Sequence, residues 1–186
     1  MPAMTLIVID MLNDFFERSA ALAAQRERLA ASINGLVRAF RAHGQPVIWV
    51  RQEFAPDLSD AFLAMRKRNL SITIAGTRGC LMLDELDCRP GDTVIVKKRY
   101  SAFFGTDLDA VLARRRPEVL VLAGINTHAC VRTAAIDAYQ RDHEVAIATD
   151  CVASYDEEHH RVSLQYLGTA IARTLPAADI IAMLES

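Results

Sequence analysis

The feature that most restricts this chain is a series of short runs that are apolar from end to end: TLIVID (5–10), PVIWV (46–50), TVIV (93–96), EVLVLA (118–123) and EVAIATD (144–150). A strand with one face in water alternates apolar and polar residues. These runs barely alternate, so each predicts a strand covered on both faces. Between them lie longer stretches with helical periodicity. In residues 20–43, Leu22, Leu29, Ile33, Leu36, Val37 and Phe40 share one face, and Gly44 supplies a stop. TDLDAVLARRR (106–116) predicts a helix capped by Thr106, and Val131, Ala134, Ala135 and Ala138 recur at helical spacing. SYDEEHHRVSLQYLGTAIA (154–172) predicts another, capped by Ser154 or Asp156, and TLPAADIIAML predicts a last strand, a last helix or both.

Alternation of this kind calls for right-handed crossovers and a parallel sheet. The expected fold is therefore α/β: a three-layer, doubly wound, Rossmann-like arrangement with a mostly parallel sheet of about six strands and helices on both faces. Residues 51–92 are less regular, with one helical piece, AFLAMRKRNL (61–70), and a loop-rich remainder. No repeat, linker or low-complexity tract intervenes, so residues 1–186 are expected to form one domain.

Charge narrows the function classes. The formal net charge is −2, and the densest basic runs, MRKR (65–68) and RRR (114–116), read as solvated helix ends, so no nucleic-acid partner is expected. No apolar run approaches the roughly 20 residues of a membrane span. The amino end reaches Asp10 with no basic region before it, so it reads as a strand and not a leader; a cytoplasmic setting is expected. The four cysteines (80, 88, 130, 151) form no C-x-x-C and no zinc spacing, so neither disulfides nor a metal or other cofactor are expected.

In an open parallel sheet, ligands bind beyond the carboxyl ends of the strands. Three chemically capable residues stand at such ends: Asp10, one of Lys97 and Lys98, and Cys130. Taken singly, Asp10 is as readily a turn former, the lysine a surface residue and Cys130 a small core hydrophobe. Taken together they supply a nucleophile, an acid/base and a cation, which is a complete set for acyl transfer. Cys130 opens a helix, where the dipole and a nearby lysine favour a thiolate. Strand-end Asp and Lys also occur in phosphoryl-transfer receiver domains; those need further carboxylates for Mg²⁺, and only Asp14 is near. A non-catalytic binding protein with a relict site is the third alternative.

The blocks LIVIDMLNDFF (6–16), GTRGCLMLDEL (76–86), VKKRYSAFFGTDL (96–108) and LAGINTHACVRTAAIDAYQRDHEVAIATDCVAS (122–154) resemble the isochorismatase-like cysteine hydrolases over nearly the whole chain. The resemblance implies a triad of Asp10, Lys97 (rather than Lys98) and Cys130. It implies a cis peptide at Ile125–Asn126 and an oxyanion hole built from the N–H groups of Asn126 and Cys130. It implies a place for Phe15 in the substrate pocket, and Arg51 is a candidate contact for a carboxylate or ureido group, or else a surface ion pair. Departures are informative. Nicotinamidases of the family carry a D-x-H metal motif where this chain has VRQEF (50–54), and Leu12 stands where Gln is frequent. Isochorismatases proper lack the cysteine. The resemblance thus implies hydrolysis of a C–N bond in a small molecule, without metal, by a homodimer or homotetramer. Phe62, Leu63, Leu81 and Met82 are candidate lid or interface positions, His128 lies near the nucleophile without an assigned role, and His159 and His160 are expected on a helix surface.

Overall fold

A computed structural model describes residues 2–185. In chain order the elements are β1 (Met4–Ile9), α1 (Asn13–Glu17), α2 (Ala20–Ala23), α3 (Arg26–Ala42), β2 (Val47–Gln52), α4 (Leu63–Arg68), β3 (Thr93–Lys97), α5 (Leu108–Arg115), β4 (Val119–Ile125), α6 (Arg132–Tyr139), β5 (Glu144–Ala153), α7 (Glu157–Ala170), β6 (Arg173–Leu175) and α8 (Ala177–Glu185). The six strands form one sheet in the order β3-β2-β1-β4-β5-β6, and every pairing is parallel. The chain winds outward from β1 in one direction, then crosses back to β4 and winds outward in the other. The order therefore reverses between β1 and β4, the place where such sheets open a crevice.

The apolar runs become the strands because both faces are covered. Leu6, Val8, Trp49, Val121 and Ala123 face a core closed by α3 and α8, with Leu29, Ile33, Leu36, Val37, Phe40, Ile180 and Leu184 buried against them. Ile7, Ile9, Ile48, Val50, Leu120 and Leu122 face a second core closed by α5, α6 and α7. A smaller third cluster, Phe54, Leu58, Ala61 and Met65 with Phe62, Ile72 and Ile74 against it, organises the irregular segment. Among the described residues no helix is long and apolar enough to cross a membrane.

Local differences from the sequence reading have local causes. The stretch 20–43 is two helices, and α1 precedes them; Ser19 caps α2 by accepting from Leu22 N at 3.3 Å. The N-cap position of α5 is Asp107 and not Thr106, but the Thr106 hydroxyl still accepts from Leu108 N at 3.3 Å at the start of the helix while donating to Ala102 O at 2.6 Å. Of the two caps offered for α7, Asp156 serves, its carboxylate accepting from His159 N at 2.8 Å. The C-terminal segment holds both β6 and α8.

Candidate active site

At the end of β1 the backbone turns into the left-handed region at Asp10 (φ 55°). Aspartate tolerates this conformation better than most residues. The turn carries its side chain under the sheet edge, where it is 1% exposed. In β3, Ile95 and Lys97 face inward while Val94 and Val96 are exposed, so the period of two settles which lysine is buried. Lys97 is 0% exposed, whereas Lys98 pairs with Asp60 at 2.9 Å. Beyond β4, Thr127–Val131 forms a single π turn before α6, and Cys130 sits in it, 5% exposed. Such turns are rare and concentrate at functional sites.

Three strand ends thus bring three side chains together. Lys97 Nζ lies 2.7 Å from Asp10 Oδ2 and 3.4 Å from Cys130 Sγ, and donates to Arg99 O at 3.0 Å. The three donors of the ammonium are committed. Asp10 Oδ1 accepts from the Gln52 amide at 2.8 Å, while Oδ2 has no hydrogen bond beyond the ion pair with Lys97. Burial opposes the charge of Lys97, but the neighbouring Asp10 and Cys130 outweigh it and hold the ammonium above its ordinary pKa.

The resting cysteine differs from the sequence reading. Burial first, then the Asp10 carboxylate, push the Cys130 thiol up to about 12, against the opposing pull of Lys97. Helix dipole and lysine do not win: the sulfur is a protonated thiol at neutral pH. It requires a base within the site, and Asp10, whose Oδ2 is engaged only by the Lys97 ammonium, is adjacent.

Gly124 fixes how closely β4 approaches β1. Its φ is +106°, and a Cβ there would stand 2.0 Å from Ile9 O, so only glycine fits. The Ile125–Asn126 peptide is cis. The π turn that follows is sewn to the end of β5. Thr127 Oγ1 donates to Ala153 O (3.0 Å), Tyr155 N donates to Asn126 Oδ1 (3.2 Å), and His128 Nδ1 lies 2.6 Å from Ser154 Oγ. His160 does not lie on the surface of α7 as expected; its Nδ1 is 2.8 Å from Thr127 Oγ1. His159 is exposed, beside Asp156 at 3.1 Å. The segment Ser154–Tyr155 and the Thr127–His160 contact were missed by sequence reasoning, because a Ser after a strand reads first as a helix cap.

Cys130 opens into a cavity of about 780 Å³. It is lined by the apolar Phe15, Leu22, Phe62, Met65, Leu70 and Ile72 and by the polar Arg18, Ser19, Gln52, Tyr100, Asn126, His128, Thr133 and Tyr155. Phe15 is among the lining residues. Arg51 is not on the wall; its guanidinium pairs with Glu53 at 2.9 Å. Phe62 is wall, against Tyr100 with ring centroids 4.9 Å apart, while Leu63 and Leu81 are exposed and Met82 packs on the first core. A second, shallower cleft of about 400 Å³ lies between Tyr139, His143 and Gly168–Arg173 and contains none of the strand-end residues. Asp14 does not join Asp10: its Oδ2 accepts from Thr73 N at 2.6 Å and its Oδ1 pairs with Arg18. Among the described residues no three His, Cys, Asp or Glu side chains gather in a metal-binding arrangement.

Comparison with known proteins points one way. The isochorismatase domain family matches residues 4–179. A ureidoacrylate amidohydrolase, RutB, of Methylorubrum extorquens is 32% identical over 80% of this chain and 68% of its own length. A probable inactive nicotinamidase of Arabidopsis thaliana is 34% identical, covering 86% of this chain and 85% of its own. Among solved structures, an isochorismatase family protein from Desulfovibrio vulgaris superposes with a TM-score of 0.88 at 27% identity over the full length of both chains. A cysteine hydrolase from Pseudomonas syringae gives 0.90 at 25% identity, over 98% of this chain and 92% of the other.

Proposed function

Proceeding from the fact that the chain belongs to the isochorismatase domain family, we propose that it is a cysteine hydrolase that cleaves a C–N bond of a small amide, ureido or carbamoyl compound through a thioester. The observation that carries this reading is the buried Lys97 ammonium held between a carboxylate at 2.7 Å and a thiol at 3.4 Å, beside a cavity of small-molecule size. The similarity to a ureidoacrylate amidohydrolase supports the C–N bond as the target.

Each group has one task. Asp10 accepts the Cys130 proton as the sulfur attacks the carbonyl carbon, so the thiolate exists only as it is consumed. Lys97 stays charged throughout and balances whichever of Asp10 and Cys130 is negative. The oxyanion is received by the backbone N–H groups of Asn126 and Cys130. Asp10 returns its proton to the departing nitrogen as the C–N bond breaks. It then takes a proton from the water that attacks the thioester, and the sulfur leaves as the thiol with that proton. The assembly that accompanies this reading is a homodimer or homotetramer, to be read by analytical ultracentrifugation.

The test is a panel of amides, ureas and carbamoyl compounds scored by ammonia release, with acid-quenched intact mass for the acyl adduct. Wild-type turnover with an adduct on Cys130, lost in Cys130→Ala, supports the reading. A Cys130→Ala protein with full activity overturns it; no ammonia from the panel together with turnover of a vinyl ether by both the wild type and Cys130→Ala favours ether hydrolysis by Asp10 alone. Specific small-molecule binding without turnover in the wild type favours a non-catalytic role.

A further inference from the structure

Polar side chains line the cavity on several sides, Arg18, Ser19, Gln52 and Thr133 among them, and one more, the half-exposed Tyr155, is aimed by a chain of hydrogen bonds that starts from a buried serine. Ser154 is 3% exposed. Its Oγ accepts from the Asp156 amide at 3.0 Å and lies 2.6 Å from His128 Nδ1. The hydroxyl proton needs an acceptor, because buried donors are almost always paired, and the imidazole Nδ1 is the acceptor at hand. That assignment makes Nδ1 unprotonated, so the neutral ring carries its proton on Nε2. Nε2 lies 3.3 Å from Tyr155 Oη, and the two rings meet edge to face at 4.9 Å. The Nε2 proton thus occupies a lone pair of the phenol oxygen, and the phenol's own hydrogen is left to point elsewhere. Tyr155 and His128 both line the cavity that contains Cys130. The Tyr155 backbone is tied to Asn126 Oδ1, in the same turn as the nucleophile. Burial and the neighbouring His159 hold His128 below its ordinary pKa, in keeping with a neutral ring at neutral pH.

From this geometry we infer that Tyr155 is a specificity-determining residue, a hydrogen-bond donor set by Ser154 and His128 that selects substrates bearing an acceptor oxygen beyond the scissile bond. His128 and Ser154 are positioning residues: they fix which atom of the phenol faces the substrate. The opposite chain order would leave the buried Ser154 proton without a partner and would present the phenol oxygen as an acceptor. The rest of the lining is mainly apolar, with Phe15, Phe62, Leu70 and Ile72, and also includes Arg18, Ser19 and Thr133. The favoured substrate class is therefore an amide or ureido compound whose bulk is apolar or aromatic and whose far end carries a carbonyl or carboxylate oxygen. This rests on the hydrolase reading above for the scissile bond, but not for the recognition.

The experiment uses shape-matched pairs: 4-acetylbenzamide against 4-isopropylbenzamide, and the corresponding 3-substituted pair to allow for reach. In the wild type the acetyl member of at least one pair is expected to be favoured by about tenfold in kcat/KM, a ratio that one neutral hydrogen bond supplies at its upper end. Tyr155→Phe collapses the ratio to near one, with the change in KM and not in kcat. Ser154→Ala removes part of it. Nitrogen-15 NMR of the histidines reports an unprotonated Nδ1 and a protonated Nε2 at His128 in the wild type. No preference in the wild type, a preference that survives Tyr155→Phe, or a protonated Nδ1 at His128 overturns the inference. The same pairs are titrated into Cys130→Ala. If no ammonia is released by the wild type but this protein binds the acetyl compound selectively, and the added Tyr155→Phe abolishes the selectivity, recognition stands and the hydrolase reading falls. If Cys130→Ala binds neither compound selectively and there is no turnover, both fall.

Discussion

Replacing Asp10 by Asn separates two things that the site couples, chemical reactivity of the sulfur and catalysis. In the wild type the thiol is held near 12 by burial and by Asp10, with Lys97 pulling the other way. At pH 7 that leaves about one sulfur in 10⁵ as thiolate, against about one in 10² for a thiol near 9. Asparagine removes the raising charge and keeps Lys97. The thiolate fraction then grows by a factor bounded by that thousandfold gap; burial persists, so about ten- to a hundredfold is the expected gain. Iodoacetamide alkylation of Cys130 at pH 7, followed by peptide mass, should accelerate by that factor while amide turnover disappears. The variant also buries Lys97 without its partner, which costs about 3–5 kcal/mol, or roughly 10 °C in Tm for a chain of this size. Circular dichroism at 15 °C establishes that the assayed protein is folded. The double variant Asp10→Asn/Lys97→Met, free of the orphaned charge, should regain part of the lost Tm. Slower alkylation in Asp10→Asn than in the wild type would refute the reasoning, since it would mean that Asp10 already activates the resting sulfur.

Three further outcomes are expected. Cys130 and Cys151 are both raised to about 12 in the folded chain from an ordinary 9.0, so the stability they contribute is complete below pH 9 and is lost as pH rises toward 12. Each accounts for about 4 kcal/mol across that window; urea unfolding between pH 8 and 10.5 should fall steeply in the wild type and less so in Cys130→Ala/Cys151→Ala. Gly124→Ala, which would place a methyl group 2.0 Å from Ile9 O, should cost at least about 3 kcal/mol and be read as a lowered Tm or loss of folded protein. A full-stability Gly124→Ala would contradict the close strand approach. Thr127→Val removes the hydroxyl shared by Ala153 O and His160; it should cost about 1–3 kcal/mol in denaturant unfolding and raise KM by loosening Ser154–Tyr155.

The core of the fold was legible because strands buried on both faces cannot alternate: all but the first residue of 118–123 lies within β4, and 144–150 lies within β5, and both strands simply run a few residues further. The break between α2 and α3 was not legible, since Ala23, Ala24, Gln25 and Arg26 are all good helix formers and the interruption is imposed by packing. Asp10 and Cys130 could be read from their positions at strand ends. The choice of Lys97 over Lys98 came from resemblance, and the inward face of Ile95 and Lys97 in β3 gives its physical reason. The helix terminus and the lysine that favour a thiolate at Cys130 are visible in sequence, whereas the complete burial beside a carboxylate that pushes the thiol up is not. Arg51 illustrates the same limit: its ion pair with Glu53, two residues away along an extended end, cannot be told from a ligand contact by spacing.

The third apolar cluster divides the labour of the chain. Phe62, Met65 and Ile72, which shape the cavity wall, belong to a cluster separate from the two cores that hold the sheet, and Asp10, Lys97 and Cys130 are set by strands and not by that cluster. Part of substrate choice therefore sits on a foundation of its own, while Leu22, Phe15 and Tyr155 share that of the sheet and the nucleophile's turn. A lineage can exchange the residues of the wall, and with them the molecule it degrades, while the sheet keeps its cohesion and the three reacting groups keep their spacing. Diversification of this chemistry across many substrates needs no new fold and no rebuilt centre, only drift in a detachable panel.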